Sequence, residues 1–413
     1  MKRLLKLPFF VVLIWLAALN MLLPAFHAYM SRDLHEMRAF GYSALLIIVL
    51  ITMISIALRG YRPNNIPRSH LLTLVAAYIF LPLVFAIPFR EALPSTTYFN
   101  AYFEMLSSFT TTGASVYEGT DRLVSALELW RAQVGWLGGL FAWVTAAAIF
   151  FPLNLGGFEI NAVSTPGRGI GAGSRMGLDL ATPERLLGIT QTLLPVYAGL
   201  TLVLWVCLII AGDPPLTAFS HAASTMSTSG ISPVGGLAGT ASGFTGEVLI
   251  FLFLIFAFSR RTFSSDISGS DRSALREDPE LRVAVFVVTG VTLLFFTRHW
   301  LAALETPVDG PDIGALISFW GGFFTSVSFL STTGFVSSGW DEAQLWSGLE
   351  TPGLILVGLA LFGGGVATTA GGVKLLRVYA LYIHGRRELA RLIYPSLVTD
   401  PGARSARIKN RGY

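Results

Sequence analysis

Seven mostly apolar runs, near residues 7–29, 38–59, 69–89, 132–152, 186–211, 283–303 and 351–381, are each long enough to cross a bilayer. About 20 helical residues suffice for a hydrocarbon core of ~30 Å. In lipid every backbone polar group must be satisfied within the chain, so runs of this length must become helices. An eighth run, "GEVLIFLFLIFAF" at 246–258, is short. It spans only with help from the Gly-rich stretch before it or by local thinning of the bilayer. Only 13% of the 413 residues are charged, against about a quarter in a soluble domain. The expected fold class is therefore an all-α polytopic membrane protein. The single cysteine, Cys207, lies inside an apolar run and excludes a disulfide framework or a Cys-based metal site. The first run, preceded by Lys2, Arg3 and Lys6, has the look of a secretory signal. Its apolar part is longer than a signal core of roughly 7–15 residues, so a retained first helix is expected, with cleavage as the alternative.

Charge placement orients the spans. With the N-terminus inside, 23 of the 29 Lys and Arg fall on inside segments: the N-terminal tail, 59–68, 153–185, 259–282 and the tail from Lys374. Asp33, Glu36, Glu91, Glu118, Asp121, Asp309, Asp312, Asp341 and Glu342 all fall outside. That asymmetry is the positive-inside bias, and an acidic outer face concentrates cations near an entrance. The basic balance thus speaks for membrane topology and not for nucleic acid.

Between spans lie shorter, moderately apolar stretches at 97–109, 216–226 and 314–330. Each leads into a hydroxyl-rich, glycine-terminated motif: "SSFTTTGASVY" from 107, "STMSTSGIS" from 224 and "SFLSTTGFV" from 328. The copies sit about a hundred residues apart, the mark of an internal repeat. The expected unit is span, re-entrant half-helix, extended filter-like strand, span. Non-helical backbone at membrane depth is tolerated only where protein buries it or water lines it. Carbonyls aimed at such a path replace the hydration shell of a monovalent cation. Glycine permits φ > 0, and a half-helix entering from outside directs its negative C-terminal end inward. One such motif alone reads better as a polar turn; three at equivalent places do not.

A second break interrupts the last apolar run in "LALFGGGVATTAGGVKLLRV" at 359–378. Glycine costs about 1 kcal/mol relative to alanine in a helix interior, so five within ten residues should open the helix. Lys374 is followed by Leu375, which excludes a Walker A loop. Close helix packing through small residues is one reading; a flexible intramembrane gate is the other.

These residues, together with "WRAQVGWLGG" at 130–139 and "GRRELARLIYPS" at 385–396, resemble the Trk/Ktr/HKT superfamily of potassium transporters, in the form of the bacterial Trk membrane subunit. The resemblance implies two N-terminal helices and then helix–half-helix/filter–helix repeats of potassium-channel type. In that layout residues 1–60 hold the two N-terminal helices. The first pore repeat covers 61–160, the second 161–270, the third with its gate loop 271–385, and 386–413 is a basic cytoplasmic tail. It further implies a potassium filter at Thr110, Thr111, Thr112 and Gly113, at Ser227, Thr228, Ser229 and Gly230, and at Ser331, Thr332, Thr333 and Gly334. The gate maps onto Gly363, Gly364, Gly365, Thr368, Thr369, Gly371, Gly372 and Lys374. Glycine in every filter position resembles potassium-selective members more than sodium-transporting ones. Potassium is then substrate, with no cofactor. The implied partners are a cytosolic nucleotide-binding regulatory subunit of the TrkA type, a second copy in a homodimer, and membrane lipid, in a bacterial inner membrane with both termini inside. The resemblance implies a fourth repeat after Arg391, and the residues of this sequence after that point hold no further apolar run. The expectations this leaves open are a fragment, a wall supplied by another chain, or a non-conducting assembly or binding subunit; a sodium transporter is the other alternative.

Glu104 in the first half-helix is expected to anchor the filter through backbone N–H groups, His221 in the second to pack or hydrogen-bond, and Arg131 and Gln133 to bond loop carbonyls. No His-Asp-Ser set with hydrolase spacing and no H-E-x-x-H pattern occurs, so an intramembrane enzyme is not expected.

Overall fold

In a computed structural model the chain is described over residues 8–58, 66–117, 123–150, 183–258, 278–303 and 313–393. Outside these lie much of the expected inside charge (Arg59, Arg62, Arg168, Arg175, Arg260, Arg261, Arg272, Arg276 and the tail beyond 393) and the outer Glu118, Asp121, Asp309 and Asp312. All regular structure among the described residues is helical, with no β-strand. The chain divides into two compact units, one of Met1–Ile149 with Leu178–Ile250, the other of Phe150–Gly177 with Phe251–Tyr413.

The first unit begins with α1 (Phe9–Asn20) and α2 (Leu22–Met30), one apolar span interrupted at Met21, which pack on α3 (Leu34–Ala57). On α3, Phe40, Ala44, Ile47 and Ile51 are buried while Tyr42, Leu45, Val49 and Met53 are exposed. Water would penalise that outer face, whereas lipid tails are as apolar as the side chains themselves. Then follow α4 (Ile66–Ala92), the half-helix α5 (Tyr98–Phe109) and α6 (Ser125–Thr145), which runs on through a π-turn at Ala146–Phe150. The same order recurs as α7 (Pro183–Ile210), α8 (Pro215–Ser227) and α9 (Gly243–Leu254), whose residues from Phe251, with the 3-10 turn at Ile255–Ala257 that ends it, belong to the second unit. Thr97 caps α5 by accepting the Asn100 N–H, and Pro215 stands in the first turn of α8, where no N–H is needed. At 12 and 13 residues, α5 and α8 reach only about 20 Å, too short to cross. The side chain of Asp213 accepts both the N–H and the hydroxyl of Ser242 at 2.9 Å, tying the α7–α8 turn to the start of α9.

The second unit holds α10 (Pro279–Ala303), α11 (Ile313–Leu330), α12 (Trp340–Ser347), α13 (Pro352–Phe362) and α14 (Leu375–Ile393). Helix α10 packs on α11, α12 and α14. Among the described residues six helical stretches are long and apolar enough to cross a membrane, and a seventh if the pair α12–α13, bent by 115°, counts as one. Helix α9 and α11 belong to the shorter apolar class. The run at 351–381 is not one span: it is helical to Phe362, leaves the helix at Gly363 and resumes at Leu375. The segments after the half-helices open with a turn at Thr110–Thr111, Thr228 and Ser331–Thr332 and then run without regular structure, with no ladder hydrogen bonds among the described residues.

Candidate functional site

Each half-helix ends in the same way. After α5 the N–H of Thr111 bonds the Ser108 carbonyl and that of Thr112 the Ser107 carbonyl. After α8 the N–H groups of Thr228 and Ser229 bond Thr225 and Ser224, and after α11 those of Thr332 and Thr333 bond Phe329 and Ser328. This paired pattern is a Schellman motif, whose left-handed residue is usually glycine. Here it is threonine all three times, with φ of 57° at Thr111, 54° at Thr228 and 60° at Thr332. A left-handed conformation costs an L-residue about 1–2 kcal/mol, so the same strain is stored three times. Two residues on, Gly113, Gly230 and Gly334 take a second positive φ, of 74°, 66° and 83°.

The side chains repeat as well. The hydroxyls flanking the strained threonine bond each other at 2.9 Å in every copy: Thr110 with Thr112, Ser227 with Ser229, Ser331 with Thr333. Six residues before each glycine stands a serine, Ser107, Ser224 or Ser328. Ser107 and Ser224 donate to the carbonyls of Ala114 and Ile231 at 2.6 Å, just past the glycine. The carbonyls of Thr111, Thr112 and Gly113, of Thr228, Ser229 and Gly230, and of Thr332, Thr333 and Gly334 accept no hydrogen bond among the described residues. Thr228, Ser229 and Thr333 are buried and the others partly or fully exposed; a backbone acceptor left without a protein partner takes water or a cation.

Nine residues before each glycine stands an anchor for the outgoing chain, of a different type each time: Glu104, His221 and Thr325. Glu104 accepts the Val116 N–H at 2.7 Å and the Ser115 hydroxyl at 2.8 Å, as expected of it. His221 Nε2 bonds the Ser232 hydroxyl at 2.9 Å. Thr325 accepts the Ser337 N–H at 3.3 Å. Among the described residues Arg131 bonds no loop carbonyl, contrary to expectation. Its guanidinium lies 2.9 Å from the Glu104 carboxylate, and both side chains are buried. A buried carboxylate demands a partner, and the only basic residue of α6 supplies it. Gln133 donates to the carbonyl and side-chain oxygens of Asn20 at 3.0 Å.

Helix α6 also explains the glycines of "WRAQVGWLGG". A β-carbon on Gly138 would overlap the Phe109 carbonyl at the end of α5, and one on Gly139 would lie 2.7 Å from the Ser227 side chain at the end of α8. Both half-helix ends therefore rest on one glycine face. Gly113 itself comes so close to Ser229 that a β-carbon there would overlap the Ser229 carbonyl. Aromatic side chains fill the space behind: Phe109 packs on Phe85, Tyr78 and Phe141 at centroid distances of 5.4–5.6 Å, and Trp130 donates to the Phe85 carbonyl.

The candidate gate segment folds back on itself. The Val373 and Lys374 N–H groups bond the carbonyls of Leu361 and Phe362 at 2.9 and 3.0 Å, and Gly364 N–H bonds Gly371. Gly363 and Gly372 have φ of 74° and 79° and pack with no room for a side chain between them. Gly365 N–H and the Thr368 hydroxyl both bond the Ala257 carbonyl at 3.0 Å. Lys374 extends its ammonium to the Ala370 carbonyl, and Thr369 lies in the same turn. Val366 N–H bonds the Glu280 carboxylate at 2.9 Å. Glu280 was not singled out from the sequence, where it is one acid among charges just ahead of an apolar run.

No family model matches the chain. A potassium uptake protein TrkH from Halomonas elongata is 30% identical over 353 residues, which are 82% of this chain and 67% of the relative. One from Salmonella typhimurium is 29% identical over 386 residues, 92% of this chain and 74% of the relative. The crystal structure of the potassium transporter TrkH from Vibrio parahaemolyticus superposes with a TM-score of 0.77 over 99% of this chain and 82% of that one, at 24% identity. It supports the helical fold alone. With that fold and these relatives, the chain belongs to the Trk family, as a multi-pass bacterial membrane protein of the membrane-subunit kind.

Proposed function

We propose that the chain moves potassium across the bacterial cytoplasmic membrane, with the three glycine-ended turns as filter walls and the segment Gly363–Lys374 as gate. Its relatives are transport proteins named for potassium uptake, and it is a transporter and not an enzyme. The observation that carries the reading is the threefold backbone: threonine and glycine at positive φ and carbonyls that accept no hydrogen bond among the described residues. Carbonyl rings of this kind select potassium by replacing its water. Strain at equivalent positions of three repeats fits a functional constraint, because it persists only where the surroundings over-determine it.

Within this reading Thr110–Gly113, Ser227–Gly230 and Ser331–Gly334 each offer carbonyls to the ion. The Trk membrane subunit is part of a system, so a cytosolic nucleotide-binding subunit is the proposed regulator and a homodimer the proposed assembly. Both termini face the cytoplasm, as the charge bias indicates. The test is growth of a potassium-uptake-deficient bacterium at limiting potassium with this chain expressed alone or with such a subunit. Rescue that is lost in Gly230→Ser supports the reading. Rescue that Gly230→Ser leaves untouched, with unchanged preference for potassium over sodium, removes the filter assignment.

A further inference from the structure

The three strained threonines are equivalent in sequence and backbone, yet their hydroxyls differ in what they hold. That of Thr111 has no hydrogen-bond partner among the described residues. That of Thr228 donates to the Ser227 carbonyl next to it, at 2.7 Å. That of Thr332 leaves its own turn and accepts the backbone N–H of Gly371, 39 residues on, at 2.7 Å. A β-carbon on Gly371 would sit 3.5–3.8 Å from the Thr332 side chain, so the Thr332 side chain also lies beside the Gly371 α-carbon. Nothing in the repeat demands this bond, since the Schellman turn closes equally well without it after α5 and α8.

Other ties of the Gly-rich segment run to helix ends, and its exit is held by the Val373 and Lys374 N–H groups on the carbonyls of Leu361 and Phe362 in α13. Ala257, in the turn that ends α9, accepts from Gly365 and Thr368, and Glu280 in the first turn of α10 accepts from Val366. The segment is thus fastened to helix ends through Gly365, Val366 and Thr368, and to a filter threonine through Gly371.

We propose that Thr332 is a positioning residue that couples the Gly-rich segment to cation occupancy of the third turn. The proposal rests on the filter reading above. A cation held by the carbonyls of Thr332, Thr333 and Gly334 fixes their peptide planes, and a fixed Thr332 presents its hydroxyl to Gly371 in one place. When the turn is empty those planes relax and the acceptor moves. By linkage the effect is mutual: withdrawal of the segment weakens cation binding by the same factor. One hydrogen bond of this kind sets that factor at roughly two- to tenfold. Glu280 holds Val366, and the tie at Gly371 belongs to Thr332, so Glu280 sets where the segment rests without sensing the ion.

The experiment is hydrogen exchange on the whole chain in lipid nanodiscs, in potassium and in an organic cation too large for the filter. The peptides read are those covering 331–334 and 363–374. In the unaltered chain both should exchange more slowly in potassium, the second by roughly two- to tenfold. Thr332→Val should abolish the potassium response of 363–374, and Thr332→Ser should keep it. Glu280→Gln should speed exchange of 363–374 in both solutions and leave the potassium response in place. If Thr332→Val does not fold, Thr332→Ala supplies the same arm. A potassium response of 331–334 without one of 363–374 overturns the coupling and spares the filter reading. A Thr332→Val chain whose 363–374 peptide still responds overturns it too. No response at either place overturns the filter reading, and the coupling with it.

Discussion

The first two glycine-ended turns and the third have one backbone and two kinds of support. In the first unit, both turns lie against the glycine face of α6, and the hydroxyls of Ser107 and Ser224 pin the chain beyond the glycine. In the second unit, the hydroxyl of Ser328 has no partner among the described residues, and a β-carbon on Gly334 would meet nothing within 4 Å. The support there comes from the Gly-rich segment through Thr332. Yet φ at Thr332 is within a few degrees of that at Thr111. The shape of the turn is therefore set by local hydrogen bonds between each half-helix end and the two residues that follow it. The surroundings set how firmly that shape is held. Two turns are braced by a helix, and one is braced by a segment that also has ties elsewhere.

That contrast can be broken most severely at Glu104. Among the three anchors it alone is charged and carries a buried counter-ion, Arg131. Glu104→Ala leaves a guanidinium buried without its partner, which costs about 3–5 kcal/mol, and it releases the Val116 N–H as well. The expected outcome is a large fall in thermal stability of the detergent-purified protein. Glu104→Gln keeps an acceptor for Val116 and should fall between Glu104→Ala and the unaltered chain. Equal stability of the alanine variant and the unaltered chain would show that the first turn is not held from its own half-helix.

A smaller loss should follow at the brace itself. Gly138→Ala puts a methyl group onto the Phe109 carbonyl, an overpacking that costs about 1–3 kcal/mol. Gly199 on α7 has nothing within 4 Å of a β-carbon, and Gly199→Ala should stabilise by about 0.5–1 kcal/mol through helix propensity alone. Opposite signs from the same substitution, read as melting temperatures, would establish α6 as the support. Matching signs would remove it.

The repeat was legible because its glycines and hydroxyls recur at fixed places, and glycine announces positive φ. The strained threonines were not legible. A β-branched residue is among the last expected at φ near 60°, and only the closing hydrogen bonds place it there. The anchors were legible in part: Glu104 and His221 stand out as polar side chains in apolar half-helices, whereas Thr325 shares their position and task but not their chemistry, so comparison of the repeats by identity conceals it. The serine six residues before each glycine was visible, and its role follows from α-helical spacing once the turn is known. The glycines of 363–372 correctly announce a break in the helix, but glycine does not say where the freed chain goes. Its closure onto Ala257, Glu280 and Thr332 depends on residues about 40 to over 100 positions away. Helix α12 gave little apolar signal, since "WDEAQLWS" reads as an outer loop.

The finest test concerns the weakest anchor. Thr325 holds the outgoing chain of the third turn by one neutral bond, from the Ser337 N–H at 3.3 Å. Thr325→Val keeps the shape of the side chain and removes the acceptor. That strands a buried N–H, at a cost of about 1–3 kcal/mol, while Thr325→Ser should restore it apart from one methyl group. If the third turn is held mainly from the Gly-rich segment, the loss in Thr325→Val should sit at the lower end of that range. Preference for potassium over sodium in an uptake assay should then shift less than in Glu104→Gln. A shift as large as that of Glu104→Gln would mean that all three turns are held from their own half-helices, and that the tie at Thr332 adds little stiffness.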